Sequence, residues 1–192
     1  MQRNILILSL ILILVAVATW VMDDPSMRAT DPELMPLSAR GNIAPDAPLQ
    51  QLNGHRTNLR SFAGRPIILH FWATWCAPCV VEFPQLLQLA QQRPGDTIVT
   101  ISVDADSRKV AAFFEKALVQ AKLKAVPDNF ILALDPEKTL AQDIFQTVRL
   151  PETILIDTDL RMADKIAGPV RDWRAPAMVI QLDALRGRSP DN

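Results

Sequence analysis

The chain has 192 residues, 49% of them apolar, and a formal net charge of −1. That length suits one domain with an appendage, and a near-neutral chain with no basic stripe excludes a nucleic-acid binder. Two cysteines cannot staple so long a scaffold, and with two histidines at no finger-type spacing they are too few for structural zinc, so no metal is expected.

The run from Ile5 to Met22 carries no charge and reaches the length of a bilayer core. Arg3 precedes it, and Asp23 and Asp24 follow. Positive residues stay on the cytoplasmic side, so residues 1–22 are expected to be a single-pass anchor in the inner (cytoplasmic) membrane. The rest then faces the periplasm or the cell exterior. Ala16-Val17-Ala18 resembles a signal-peptidase site, the competing reading. The apolar run continues through Trp20-Val21-Met22, which favours an uncleaved anchor. Either way both cysteines lie where disulfides persist. Residues 23–46, with Pro25, Pro32, Pro36 and Pro45, read as a proline-rich tether. Residues 47–187 are the globular domain, and 188–192 a loose tail.

Asn53-Gly54 between short alternating segments signals a hairpin within 49–59. Ile67 to Trp72 is a continuous apolar run suited to a strand buried on both faces, with His70 read as a core histidine. A helix is expected from Ala77 to Arg93, with Pro78 in its first turn, a kink at Pro84 and a stop at Pro94-Gly95. Thr97 to Val103 is the next strand, and Asp104, Asp106 and Ser107 are cap candidates for a helix. Val110, Phe113, Phe114, Ala117, Leu118 and Ala121 form its apolar stripe. Phe130–Leu134 reads as a strand, and Asp135-Pro136-Glu137 as a helix start burying Leu140, Ile144 and Phe145. Glu152–Asp157 and Leu160–Ala167 read as an antiparallel strand pair, and Asp172 as the cap of a helix over 173–186. The alternation implies an α/β fold: a mixed central sheet, helices on both faces, and a right-handed crossover joining the first two core strands in parallel.

Both cysteines stand in Trp72-Ala73-Thr74-Trp75-Cys76-Ala77-Pro78-Cys79, where a strand meets a helix. Two thiols one turn apart at a helix start can open and close a disulfide. Cys76, at the first unpaired N–H groups, is the expected nucleophile, and Cys79, one turn in, the resolving thiol. Glu82 shares the helical face of Cys79, and a carboxyl held near that thiol could take its proton. Ala77 and Pro78 stiffen the dithiol loop without adding charge. Trp72 is read as core, and Trp75 as a cover for the disulfide and a contact surface.

The motif, with Pro84 eight residues after Cys76 and Pro151 ahead of a strand, resembles the active site of thioredoxin-fold proteins. The finer pattern is similar to the membrane-anchored TlpA/ResA/CcmG (DsbE) group: an anchor, an opening hairpin, Glu82-Phe83-Pro84, and an inserted segment near 122–147 before Pro151-Glu152-Thr153. The resemblance spans about residues 41–187. It implies a thioredoxin-like fold with an N-terminal β-hairpin extension and an insertion before the cis-proline strand. It implies a cis Pro151 that presents the Leu150 backbone to an extended substrate. It also implies that Glu82 serves where cytoplasmic thioredoxins use an Asp on the preceding strand, since no Asp lies in 67–72. Val148-Arg149-Leu150 departs from the small residues usual before that proline, so a bulky Leu150 would narrow or redirect the groove.

The resemblance implies a protein-disulfide reductase whose redox group is the Cys76/Cys79 dithiol, with no added cofactor. Its partners would be protein thiols and disulfides, apocytochrome c among them, and a membrane thiol-transfer reductase that restores the dithiol. A monomer is expected. Two alternatives share the fold. A copper-handling or otherwise non-catalytic module would want CxxxC and a distal histidine, and none follows His70. A thiol peroxidase would want its cysteine in another loop context.

Overall fold

A computed structural model describes residues 41–187 of the chain. The expected anchor, most of the tether and the tail lie outside the described residues. Among the described residues, no helix is long and apolar enough to cross a membrane.

A seven-stranded sheet carries the domain. Its strands are β1 (Pro48–Gln51), β2 (Arg56–Asn58), β3 (Ile67–Trp72), β4 (Thr97–Ser102), β5 (Phe130–Leu134), β6 (Glu152–Ile156) and β7 (Met162–Ala167). Their spatial order is β2-β1-β5-β4-β3-β6-β7. β3, β4 and β5 run parallel, while β6 lies antiparallel to β3 and β7 antiparallel to β6. The expected parallel core and antiparallel edge are both present. β1 and β2 form the predicted hairpin, whose turn needs Gly54 at φ +84°.

Three α-helices accompany the sheet among the described residues: α1 (Ala77–Gln92), α2 (Ser107–Gln120) and α3 (Pro176–Ala184). Side chains alternate across a strand, so Phe71 and Trp72 look to opposite faces of the sheet. The Trp72 ring meets Phe83 of α1 at 4.3 Å and Phe113 of α2 at 5.0 Å between centroids. Phe83 also meets Phe114 and Phe130, which makes this aromatic cluster the core of that face. On the other face Phe71 meets Phe145, at 5.6 Å. Helical segments therefore cover both faces, with the inserted stretch on the Phe71 side. β3 and β4 are buried along their whole length, as a central strand sandwiched between two layers must be.

Four details differ from the sequence expectation. The helix expected from Asp135 is a π-helical turn over Thr139–Ile144, entered through Lys138 in the left-handed region. Asp135 still caps it, its carboxylate accepting from the Leu140 and Ala141 N–H groups. α3 begins at Pro176 rather than Trp173 because Asp172 closes a separate turn through Arg174 N and Ala175 N. α1 runs unbroken through Pro84, which simply has no N–H to offer the Val80 carbonyl. Finally, residues 41–46, at the composition-defined end of the tether, pair with the β7 side of the sheet. Gly41 N donates to Met162 O, Met162 N to Asn42 O and Ala44 N to Leu160 O.

Candidate active site

The end of β3 delivers the chain into Ala73-Thr74-Trp75 and then into α1. Cys76 is the N-cap residue of α1 with extended backbone angles, and Pro78 sits in the first turn. Cys76 and Cys79 are joined in a disulfide, with Cα atoms 5.3 Å apart. Cys76 keeps 6% exposure and Cys79 none. Cys76 thus keeps a small contact with the surface, and Cys79 is shut inside. Ala77, between them, is exposed, as is Trp75, at 66%. Trp75 is therefore a projecting contact surface more than a cover.

The turn ahead of the cysteines is fixed by Asp104. Its carboxylate accepts from Thr74 N at 2.8 Å, Thr74 Oγ1 at 2.6 Å and Ser102 Oγ at 2.7 Å. Of the three cap candidates Asp104, Asp106 and Ser107, Asp106 caps α2 by accepting from Arg108 N, which leaves Asp104 free for the turn. Asp104 is the positioning residue that the sequence reading missed. An acid directly after a buried parallel strand, with a second acid two residues on to do the capping, was the available signal.

Glu82 is buried, at 2% exposure. Its Oε1 accepts from Trp173 Nε1 at 2.8 Å and from Val170 N at 3.3 Å. Its Oε2 has no hydrogen-bond partner among the described residues. Burial pushes the carboxyl up to about 7, against the two donors, which pull the other way. His70 is fully buried on the sheet face that α1 covers, its Nδ1 2.9 Å from Thr153 Oγ1. Burial lowers its pKa to about 3, so the ring is neutral, as a core histidine should be.

The Leu150–Pro151 peptide is cis, as the resemblance implied. Pro151 is buried, and Pro151 O accepts from Gly168 N. Leu150 is half-buried and lines a groove of about 410 Å³ together with Trp75, Cys76, Pro78 and Val148. Of the expected site residues, Trp75, Cys76, Pro78 and Leu150 meet in this groove. Cys79 and Glu82 are buried in α1, and Ala77 is outside the lining. Among the described residues no group of three or more His, Cys, Asp or Glu side chains forms a metal site. The arrangement pairs one accessible sulfur with one enclosed sulfur and a buried carboxyl whose proton is exchangeable near neutral pH. Chemically, that suits two-step thiol exchange.

A family model described as Redoxin matches residues 39–178. The chain is 30% identical over 150 residues to the thiol:disulfide interchange protein HelX of Rhodobacter capsulatus, covering 77% of this chain and 78% of that protein. It is 27% identical over 134 residues to the thiol-disulfide oxidoreductase ResA of Bacillus subtilis, covering 70% of each. A crystal structure described as that of a thiol:disulfide interchange protein DsbE from Chlorobium tepidum superposes with a TM-score of 0.63 at 27% identity. That match covers 76% of this chain and 96% of the other.

Proposed function

The chain belongs to the Redoxin family and is a thiol–disulfide oxidoreductase of the ResA/DsbE type; from that premise we propose that it is a membrane-anchored, extracytoplasmic reductase of selected protein disulfides, apocytochrome c among them. The observation that carries this reading is the groove at Cys76, open beside the cis Leu150–Pro151 peptide.

The reduced protein starts the cycle. The α1 N-terminus, with its unpaired N–H groups and positive dipole end, favours the Cys76 thiolate. That thiolate attacks one sulfur of the substrate disulfide. A Cys76–substrate disulfide forms, and the substrate's other sulfur leaves as a thiolate that takes a proton from water. Glu82, ionised, then accepts the proton of the enclosed Cys79 thiol. The Cys79 thiolate attacks Cys76 Sγ, closing the 76–79 disulfide and releasing the second substrate sulfur as a thiolate, which takes a proton from water while Glu82 returns its own to water. Two electrons have passed to the substrate, which leaves as a dithiol. A membrane thiol-transfer reductase returns two electrons to Cys76 and Cys79, and no separate cofactor takes part.

Substrate binding falls to the groove. The Leu150 backbone, held by the cis peptide, offers an extended polypeptide a strand-like partner, and Trp75 and Pro78 add apolar contact. The uncharged run at Ile5–Met22 supports the anchored, periplasm-facing location, and the 76–79 disulfide fits an oxidising compartment. The resemblance to the ResA/CcmG group supports the cytochrome c assignment and a monomeric state.

The test is capture. A Cys79→Ser variant cannot resolve, so it should accumulate mixed disulfides through Cys76, with apocytochrome c among the captured chains. A Cys76→Ser variant should reduce insulin no faster than the uncatalysed control. Reduction by Cys76→Ser at the wild-type rate would sink the chemistry. Capture that never includes a haem-attachment polypeptide would sink the cytochrome assignment alone.

A further inference from the structure

The groove at Cys76 has a one-sided charge. Two ionisable side chains other than the cysteine line it, Lys138 and Arg149, and both are cations. They arrive from separate stretches. Lys138 enters the π-helical turn with its backbone in the left-handed region at φ 60°, while Arg149 directly precedes the Leu150–Pro151 peptide. Neither has an acidic partner among the described residues. The Arg149 guanidinium donates to the Ala167 carbonyl at 3.1 Å, which fixes its position and leaves its charge unneutralised. Lys138 is solvent-exposed, and its ammonium makes no ion pair among the described residues.

Several other described cations sit in ion pairs, while Arg65 and Arg161, away from the groove, are held like Arg149 by backbone carbonyls. Arg93 and Arg186 both pair with Asp96, Arg108 with Asp106, and Lys165 with Glu152. A chain of net charge −1 that leaves two cations unpaired at its reactive sulfur presents a local positive field there.

We propose that the groove selects polypeptide disulfides flanked by acidic residues, with Lys138 and Arg149 as the specificity-determining contacts. This deepens the reductase reading and rests on it. The occupant is one extended segment. Its reacting cysteine meets Cys76, its apolar neighbour packs against Trp75 and Val148, and an aspartate or glutamate beside that cysteine meets the cations. Arg149 has a donor fork suited to a carboxylate, and Lys138 acts as a point charge. Opposite charge across a recognition surface acts mainly on encounter rate and on rejection of the wrong partner. The preference should therefore appear in the second-order rate constant and weaken with salt.

The experiment uses the full chain, reduced and held in a neutral detergent. Three substrates are cystine-linked peptide dimers of one sequence, whose residues flanking the cysteine are glutamate, glutamine or lysine. A fourth is the uncharged 2-hydroxyethyl disulfide. At low ionic strength the glutamate peptide should react about tenfold faster than the lysine peptide, with glutamine between them. The ratio should fall toward one at high salt, and should invert in a Lys138→Glu/Arg149→Glu variant. Because the readout is a ratio on one protein, a change the variant makes in Cys76 reactivity cancels, and loss of the groove would flatten the ratio rather than invert it. Equal rates for the three peptides, or a ratio that the double variant leaves unchanged, would overturn the selectivity. Failure to reduce 2-hydroxyethyl disulfide at all would instead overturn the reductase reading, so the two failures are distinguishable.

Discussion

Two glutamates are buried on opposite sides of one sheet, and they are accommodated differently. Glu82 lies in α1, on the Trp72 side, and its partners among the described residues are neutral donors, Trp173 Nε1 and Val170 N. Glu152 follows the cis peptide. It pairs in register with Phe71, shares that face, and is fully buried with Lys165 Nζ 3.0 Å from its Oε1. The ammonium's hydrogen bonds go elsewhere, to the Phe145 and Gln146 carbonyls, and neither Glu152 oxygen accepts one in the structure. A buried carboxyl survives either by acquiring a countercharge or by keeping its proton. The Glu152 side uses a cation, which also ties the inserted segment to β7. The Glu82 side has none among the described residues, and burial pushes that carboxyl up to about 7. One arrangement is suited to holding a shape, the other to moving a proton.

The strongest way to break this contrast is Lys165→Met. Glu152 would be left buried with no countercharge, and breaking a buried pair from one side costs about 3–5 kcal/mol. The urea midpoint of the oxidised protein should fall accordingly, and Lys165→Met/Glu152→Gln should recover much of the loss. A wild-type midpoint for Lys165→Met would mean that Glu152 is not held as a charge at all.

Glu82→Gln probes the other side through pH. Between the ordinary value of 4.5 and about 7, the folded protein keeps the Glu82 proton and the unfolded chain has lost it. Stability then falls as pH rises. His70 works in the opposite sense. Its pKa drops from 6.5 to about 3, so its contribution is present above 6.5 and lost as pH falls toward 3. From pH 4.5 to 6.5 the two slopes oppose each other. Replacing Glu82 removes one slope and exposes the other. The stability of Glu82→Gln relative to wild type should grow by about 1.4 kcal/mol per pH unit from 4.5 to 7, about 3 kcal/mol in all. Denaturant titrations of both oxidised proteins across that range measure it. A difference independent of pH would show that Glu82 is ionised throughout.

Why one glutamate was legible in the sequence and the other was not follows from the same contrast. Glu82 could be singled out because helical spacing puts it on the face of Cys79, and spacing is local information. Cys76, Cys79 and the α2 stripe were legible for the same reason, since a short window states them, whereas the parallel core followed from the order of elements and the cis Pro151 from the family resemblance. Glu152 was visible only as part of a Pro-Glu-Thr motif. Its burial depends on Phe145 crossing to the Phe71 face and on Lys165 lying on the partner strand, both long-range facts. Asp104 stood only as one of three cap candidates, because a cap and a clamp on Thr74 look identical from position alone. The π-helical turn defeated the helix prediction because Asp135 can cap either geometry. Lys138 and Arg149 lie 11 positions apart in the sequence, and only the fold brings both to one groove.

Trp173→Phe makes the smallest change and tests the Glu82 environment most directly. The substitution keeps an aromatic ring in the buried site and removes the Nε1 donor that reaches Glu82 Oε1. A hydrogen bond to a carboxylate is worth more than one to a neutral carboxyl. Its loss should therefore cost little at pH 5, where Glu82 is protonated, beyond the repacking penalty common to all pH values. At pH 8.5 the carboxylate loses its closer donor and keeps only Val170 N, at 3.3 Å. The destabilisation there should exceed that at pH 5 by about 1 kcal/mol. The Glu82 transition should also move above about 7, because a donor that pulls its pKa down has gone. Equal losses at the two pH values would mean that Trp173 packs against Glu82 without stabilising its charge. The proton acceptor proposed for Cys79 would then have to depend on the Val170 backbone alone.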